Sequence, residues 1–91
     1  MTIKRAKAIL RGVGFTVNFN RDWDEFRYNI LGGTEEQAGY EATAEDAVGS
    51  ALSDWSRSTF TPQFTEGLGS DGMIQLAEFY ARNFHPNGTS K

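Results

Sequence analysis

The sequence predicts an α+β fold, a two-layer sandwich in which helices cover one face of a three-stranded antiparallel sheet. Three segments carry hydrophobic residues every three or four positions, which is the period of an amphipathic helix. Between the first and second of these, three short segments alternate hydrophobic and polar residues, which is the period of a strand with one buried face. The predicted order is therefore α-β-β-β-α-α, and helices on one face of such a sheet form an α+β sandwich.

The first predicted helix begins after Thr2, whose side chain is suited to capping it. Its apolar stripe consists of Ile3, Ala6, Ile9, Leu10 and Val13. Gly12 and Gly14 are expected to end the helix, because glycine readily adopts the backbone conformations found just after a helix C-terminus.

The three strands are predicted from alternation. Their hydrophobic positions are Phe15, Val17 and Phe19 in the first strand, Phe26, Tyr28 and Ile30 in the second, and Ala38, Tyr40 and Ala42 in the third. Residues 20–24 are predicted to form a hairpin loop, and residues 32–34 a second turn. We expect all three hydrophobic strand faces to meet Leu52 and Trp55 of the helix that follows.

The second helix is predicted to begin after Thr43, because Thr43 and Asp46 have the spacing of a capping box, with Asp in place of the usual Glu or Gln. Its stripe consists of Ala44, Ala47, Val48, Ala51, Leu52 and Trp55. Residues 56–70 are predicted to form a loop by composition. The last helix is predicted from Asp71 to Phe84, before Pro86. Its stripe consists of Met73, Leu76, Ala77, Tyr80, Ala81 and Phe84. Residues 1–85 are expected to form a single α+β domain, and residues 86–91 a flexible C-terminal tail.

Composition narrows the class of protein. A chain of 91 residues with 38% hydrophobic residues can build one core. It contains no cysteine, which excludes a disulfide scaffold, a thiolate metal site and a cysteine nucleophile. No apolar run of the sequence reaches the length needed to span a bilayer. The lack of cysteine fits a protein of the reducing cytoplasm.

Charge is distributed unevenly along the chain. Residues 1–20 carry four basic side chains and no acidic one, a net charge of +4. Residues 21–56 carry nine acidic side chains against two arginines, a net charge of −7, and residues 57–91 are neutral overall. An acidic block of this kind repels nucleic acid and attracts basic surfaces.

The segment NFNRDWDEF, residues 18–26, places oxygen-bearing side chains at every second position, as a calcium-binding loop does. An EF-hand loop that began at Asn18 would need Gly and Glu where this chain has Trp23 and Asn29. We therefore expect an exposed hairpin tip and no metal. Trp23 is then either tucked over the edge of the core or part of a binding surface, since a tryptophan within an acidic rim makes a good anchor.

The remaining motifs do not support catalysis. GLGSDG, residues 67–72, matches the letters of a dinucleotide-binding loop, but the βαβ unit and the later acidic residue of that motif are missing. His85 is the only histidine, and no catalytic partner for it can be identified. The paired carboxylates lie in predicted exposed turns, which do not provide the buried environment that general acid–base catalysis uses. We expect no enzymatic activity, no catalytic residue and no cofactor.

Carboxylates on loops of a rigid sheet are suited to binding a basic partner, because binding residues concentrate on such loops. The expected partner-binding residues are Asp22, Trp23, Asp24, Glu25, Glu35, Glu36, Glu45 and Asp46.

The basic first helix offers an alternative site, for nucleic acid. The residues concerned are Lys4, Arg5, Lys7 and Arg11. The order α-β-β-β-α is that of double-stranded RNA-binding domains, but those domains place a lysine-rich start on the helix after the strands. Here that position reads TAEDAVGS, which is acidic. A solvated basic face that pairs with the acidic side of the sheet, or with another protomer, is the simpler interpretation, and direct nucleic-acid binding is not our leading expectation.

The segment GYEATAEDAVGSALSDW is similar to a pattern found in small proteins carried by phages and plasmids, anti-CRISPR proteins among them. The resemblance covers residues 37–55 and the overall architecture, and it transfers no functional residue. It implies an inhibitor that binds a bacterial CRISPR effector, or another nucleic-acid-binding host protein, through an acidic surface. Two alternatives stay open, a small nucleic-acid-associated protein that uses the basic helix and a phage assembly protein. Whether the protein forms a homodimer also stays open.

Overall fold

Helices pack on one face of a three-stranded antiparallel sheet of order β1-β2-β3 in the computed structural model, which describes residues 2–91. The strands are β1 (Phe15–Asn20), β2 (Glu25–Ile30) and β3 (Gly39–Glu41), and the helices are α1 (Ile3–Gly12), α2 (Ala44–Thr59), α3 (Pro62–Thr65) and α4 (Ser70–Asn83). The predicted α+β fold and its order are confirmed. Two short elements add to it: the single turn of α3, and a 3-10 turn over Glu35–Gln37 before β3.

The first helix has the predicted ends. The Thr2 hydroxyl accepts a hydrogen bond from the Arg5 amide at 3.2 Å, which satisfies one of the free N–H groups of the first turn. After Gly12, the chain reverses at Gly14, whose φ of 90° lies in the region that glycine adopts at little cost. Gly12 also lets α1 approach α4 closely, since a Cβ at this position would lie 2.9 Å from Cβ of Ala81.

The first two strands bury the predicted face. Phe15 is paired with Ile30, Val17 with Tyr28 and Phe19 with Phe26, and directly opposed residues share a face of the sheet. Phe15 and Val17 are buried against α1 and α2, whereas Phe19 is half exposed. Burial along β1 therefore decreases from the base of the hairpin towards its tip. In β2, Phe26 and Tyr28 are half-buried, but Ile30, which was predicted to face the core, is 51% exposed.

The prediction for the third strand is wrong by one position. Tyr40 is paired with Arg27 and lies on the opposite face of the sheet from the core, while Gly39 and Glu41 lie on the core face. Gly39 is opposed to Tyr28, and a Cβ at position 39 would overlap the Tyr28 ring. Glu41 is accommodated because its carboxylate accepts a hydrogen bond from the Ser50 hydroxyl of α2 at 2.9 Å.

The second helix begins as predicted and ends later than predicted. The Thr43 hydroxyl accepts a hydrogen bond from the Asp46 amide at 3.1 Å, and the buried stripe includes Leu52 and Trp55. The helix continues to Thr59, and α3 also falls within residues 56–70, so the predicted loop is partly helical. The last turns of α2 tolerate serine because the hydroxyls of Ser56 and Ser58 donate hydrogen bonds to carbonyls of the preceding turn.

The last helix completes the core with an aromatic cluster. The Trp55 ring lies edge-on to Phe60 at 5.4 Å and to Tyr80 at 5.6 Å between ring centroids. Tyr80 in turn stacks on Phe84 at 4.8 Å. Ile74 and Ala77 are the buried residues of α4, and Ile74 was not part of the predicted stripe.

The C-terminal residues return to the end of α4. The His85 amide donates to the Thr89 carbonyl at 2.8 Å, and the Lys91 amide donates to the Asn83 carbonyl at 3.0 Å. Phe84 and Ser90 form an antiparallel bridge. The flexibility predicted for residues 86–91 stays a prediction, as does the domain boundary at residue 85.

Candidate functional site

The face of the sheet opposite the helices carries three cross-strand rows of mainly polar side chains. Thr16 is opposed to Asn29, and Asn20 to Glu25. The central row crosses all three strands and consists of Asn18, Arg27 and Tyr40. We call this surface the open face.

The open face and the turns at its two ends form a trough of about 560 Å³, here called the open-face trough. Its lining residues are Thr16, Asn18, Phe19, Asn20, Arg21, Asp22, Trp23, Arg27, Asn29, Ile30, Gly32, Gly33, Glu35 and Tyr40. Among the side chains that the structure describes, seven large hydrophobic ones are exposed, and four of them line this trough: Phe19, Trp23, Ile30 and Tyr40. Trp23 and Tyr40 belong to the hairpin tip and the open face, whereas Phe19 and Ile30 belong to the rows that face the helices and border the trough at its rim. Exposed hydrophobic side chains in such number around one concavity are typical of interaction sites.

The hairpin tip, residues 21–24, presents Trp23 to solvent. Oδ1 of Asn20 accepts a hydrogen bond from the Asp22 amide at 3.1 Å, which tightens the loop at its start. Asp24 closes the loop with a φ of 52°, a conformation that Asp and Asn adopt more readily than most residues. Trp23 is 75% exposed, so the alternative that it is tucked over the core is wrong.

Asn29 fixes the other end of the trough. It is only 5% exposed, its Nδ2 donates to the Thr34 carbonyl at 2.9 Å, and its Oδ1 accepts from the Ile30 amide at 2.8 Å. Gly33 permits this arrangement, since a Cβ there would lie 2.7 Å from Asn29 Oδ1. The turn held in this way leads into the 3-10 turn, where Glu35 reaches Arg27 at 3.5 Å.

The predicted partner-binding residues do not form one cluster. Asp22, Trp23 and Glu35 line the open-face trough. Glu45 and Asp46 line a different cleft beside α2, of about 620 Å³, together with Glu41, Asp54 and other residues. Asp24 lies at the tip beside Trp23, Glu25 lies half-buried on the open face, and Glu36 is exposed on the 3-10 turn. The acidic block of the sequence is thus divided between two surfaces.

Sequence reasoning did not find the central row. Tyr40 lies beside Arg27 on the open face because of the register of β3, whereas the alternation of the sequence assigned Tyr40 to the core. Asn29 was missed as well, since nothing in the sequence distinguishes a buried asparagine that holds a turn from an exposed one.

The basic residues of α1 separate into two groups. Lys4, Lys7 and Arg11 have helical spacing that places them on one side, and Lys7 and Arg11 line a narrow groove against Thr16, Val17 and Asn18 of β1. Arg5 lies on the other side and forms an ion pair with Glu78 of α4 at 2.6 Å. Arg82 also reaches Glu78, at 3.4 Å. The hydrogen bond from Arg5 holds the pKa of Glu78 below its ordinary value; burial opposes this effect, and the charges of Arg5 and Arg82 add to it.

The described residues show little that resembles a catalytic centre. Within residues 2–91, no three His, Asp or Glu side chains are grouped so that they could hold a metal ion. The glycines of residues 67–72 follow a helix, α3, whereas a dinucleotide-binding loop follows a strand. His85 is exposed beyond the end of α4.

Comparison with protein-family models, with curated proteins and with solved structures finds no match to this chain. Over residues 2–91, none of the helices has both the length and the apolar character that crossing a membrane requires.

Proposed function

We propose that this protein is a non-enzymatic binding module that docks on a protein partner through its hairpin tip and the adjoining end of the open-face trough. The observation that carries the proposal is the exposure of Trp23 on a tip whose backbone is fixed by Asn20 and Asp24. A tryptophan side chain has only two torsion angles, so a partner that covers it gains a large contact area at a low cost in conformational entropy.

The residue types around Trp23 support a protein partner. Trp, Tyr and Arg are the types enriched among residues that dominate binding energy, and the trough combines Trp23 with Tyr40 and Arg27. Asp22 and Asp24 flank the tryptophan and form a negatively charged rim. A rim of this kind favours a basic partner surface and speeds association with it.

The partner that we propose is a nucleic-acid-binding protein of a bacterial defence system, a CRISPR effector in the first place. The resemblance of residues 37–55 to small phage and plasmid proteins supports this choice. Basic grooves built to hold nucleic acid offer the charge that the rim would meet. In this proposal the protein acts in the bacterial cytoplasm, without a cofactor, and inhibits its target by occupying such a groove.

Affinity capture tests the proposal. Tagged protein is expressed in bacteria with an active CRISPR system, the lysate is treated with nuclease, and the retained proteins are identified by mass spectrometry. We expect a CRISPR effector subunit to be retained by the wild type and lost with Trp23→Ala or with Asp22→Lys combined with Asp24→Asn. Asn is chosen at position 24 because it tolerates the positive φ.

The matched control is Glu45→Lys with Asp46→Lys, which changes charge in the other cleft. Equal loss of the effector with both pairs of substitutions would contradict the assignment to the hairpin tip. Retention of no effector subunit by the folded wild type would contradict the proposed partner.

A further inference from the structure

We propose that the open face, together with the groove between α1 and β1, binds single-stranded DNA. This inference goes beyond the protein-binding function proposed above and does not depend on it.

Most basic side chains of the protein already have an anionic or carbonyl partner. Arg5 and Arg82 pair with Glu78, Arg57 with Asp54 and Arg27 with Glu35, and Nζ of Lys91 donates to the Ala81 carbonyl. Within residues 2–91, the basic side chains without an ion pair or side-chain hydrogen bond are Lys4, Lys7, Arg11 and Arg21.

Three of these unpaired cations lie along one border of the open face. Lys7 and Arg11 line the groove beside β1, and Arg21 lines the open-face trough at the hairpin tip. Thr16 and Asn18 line both the groove and the trough, so the two concave surfaces are continuous across β1. A row of free cations along a continuous surface complements the regularly spaced phosphates of an extended nucleic-acid strand.

The open face supplies flat side chains on which bases can stack. Tyr40 is 37% exposed, and Trp23 stands free at the tip. Arg27 lies beside Tyr40 in the central row, and a guanidinium also stacks on planar rings. Bases that stack on such side chains must be unpaired, which selects single-stranded over double-stranded nucleic acid.

Hydrogen bonding on the open face favours DNA over RNA. The Thr16 hydroxyl donates to the Asn29 carbonyl, the Asn29 amide holds residues 30 and 34, and Oδ1 of Asn20 accepts from Asp22. These groups are committed within the protein. In the described part of the chain, the uncharged polar groups that stay free on the open face are those of Asn18 and Tyr40 and the Nδ2 of Asn20, too few to read base edges or a row of ribose 2′-hydroxyls. We therefore expect weak sequence preference and no gain from ribose.

The acidic side chains set the strength of binding. Asp22 and Glu35 line the same trough, Glu25 lies on the open face, and the protein carries a net charge of −3. These charges repel phosphate, so binding should be weak and strongly dependent on salt. Asp22→Asn should therefore strengthen binding, although it lies in the rim that the proposed protein partner would contact.

Fluorescence anisotropy with a labelled oligothymidylate of about 12 nucleotides, near the site size of small single-strand-binding folds, tests the inference. We expect Lys7→Gln with Arg11→Gln to weaken binding and to reduce the log–log salt slope by about 1.4, as expected for two lost phosphate contacts. Tyr40→Ala should weaken binding by about fivefold or more through lost stacking. Circular dichroism checks that each variant is folded.

The matched control is Arg57→Gln with Lys91→Gln, which removes the same charge from other surfaces. Equal weakening by this control would overturn the site, as would an affinity unchanged in Lys7→Gln with Arg11→Gln. No binding of the oligothymidylate at low salt, or tighter binding of an oligouridylate of equal length, would overturn the ligand. Neither result affects the capture experiment, which is carried out after nuclease treatment and reports on the protein partner separately.

Discussion

The ring of Tyr28 lies over Gly39, its cross-strand neighbour on the core face of β3, in the space that a Cβ at position 39 would need. This contact fixes which residue of the short third strand faces the helices, and therefore places Tyr40 on the open face. The contact between Tyr28 and Gly39 should therefore also affect the free energy of unfolding.

Gly39→Ala should destabilise the protein by about 1–3 kcal/mol, because the added methyl group displaces the Tyr28 ring or separates β3 from β2. Urea denaturation measures the change. The control is Gly49→Ala in α2, where a Cβ meets nothing within 4 Å. There the substitution should stabilise by about 0.5–1 kcal/mol through helix propensity. Similar effects at the two positions would mean that Tyr28 does not fix the register.

Trp55→Ala should destabilise the protein by about 3–5 kcal/mol, the usual range for truncating a buried aromatic residue. Trp55 is 2% exposed and contacts both Phe60 and Tyr80, so its loss leaves a cavity among three elements. Trp23→Ala is the matched comparison, because Trp23 is exposed and should change the free energy of unfolding by less than about 0.5 kcal/mol. A large loss with Trp23→Ala would contradict its position at a solvent-exposed tip.

Glu78 should make stability depend on pH. Its pKa is lowered in the folded protein by the hydrogen bond from Arg5, so the unfolded state takes up a proton first as pH falls. Its stabilising contribution is therefore complete above the ordinary value of 4.5 and is lost as pH falls below it, through the folded pKa. Thermal unfolding measures the melting temperatures of the wild type and of Glu78→Gln across this pH range. The difference between the two melting temperatures should shrink as the pH falls. A difference that stays constant with pH would refute the coupling.

Asn29→Ala should destabilise the protein by about 1–3 kcal/mol, because it leaves the Thr34 carbonyl and the Ile30 amide without their side-chain partner. The same change should release the turn that positions Glu35 beside Arg27. Hydrogen exchange of the amides of residues 30–34 would detect this local opening. The control Asn18→Ala, on the exposed central row, should leave both stability and exchange nearly unchanged.

The sequence was sufficient to predict the elements with strong local signals. Thr2 and Thr43 marked two helix starts, and β1 and β2 each alternate large hydrophobic residues over their full length. The sequence was insufficient for β3, because this strand has only three residues and its neighbours have small side chains, so the alternation is too weak to set the register. The contact between Gly39 and Tyr28 sets the register instead. The same register places Tyr40 on the open face. Trp23 could therefore be predicted from the hairpin, and the side of the sheet on which Arg27 lies from the alternation of β2, while the position of Tyr40 could not be predicted. The end of α2 was missed because its serines satisfy their hydroxyls on the helix itself.

The central row of the open face has a further consequence for engineering. Asn29 and Asn20 hold turns through side-chain hydrogen bonds. Asn18, Arg27 and Tyr40 point away from the core, and of these three Arg27 reaches a turn, through its ion pair with the exposed Glu35. Substitutions at these positions should change the surface that a ligand meets and should cost little folding free energy. A randomised library at these three positions could therefore yield new ligand specificities on an unchanged backbone.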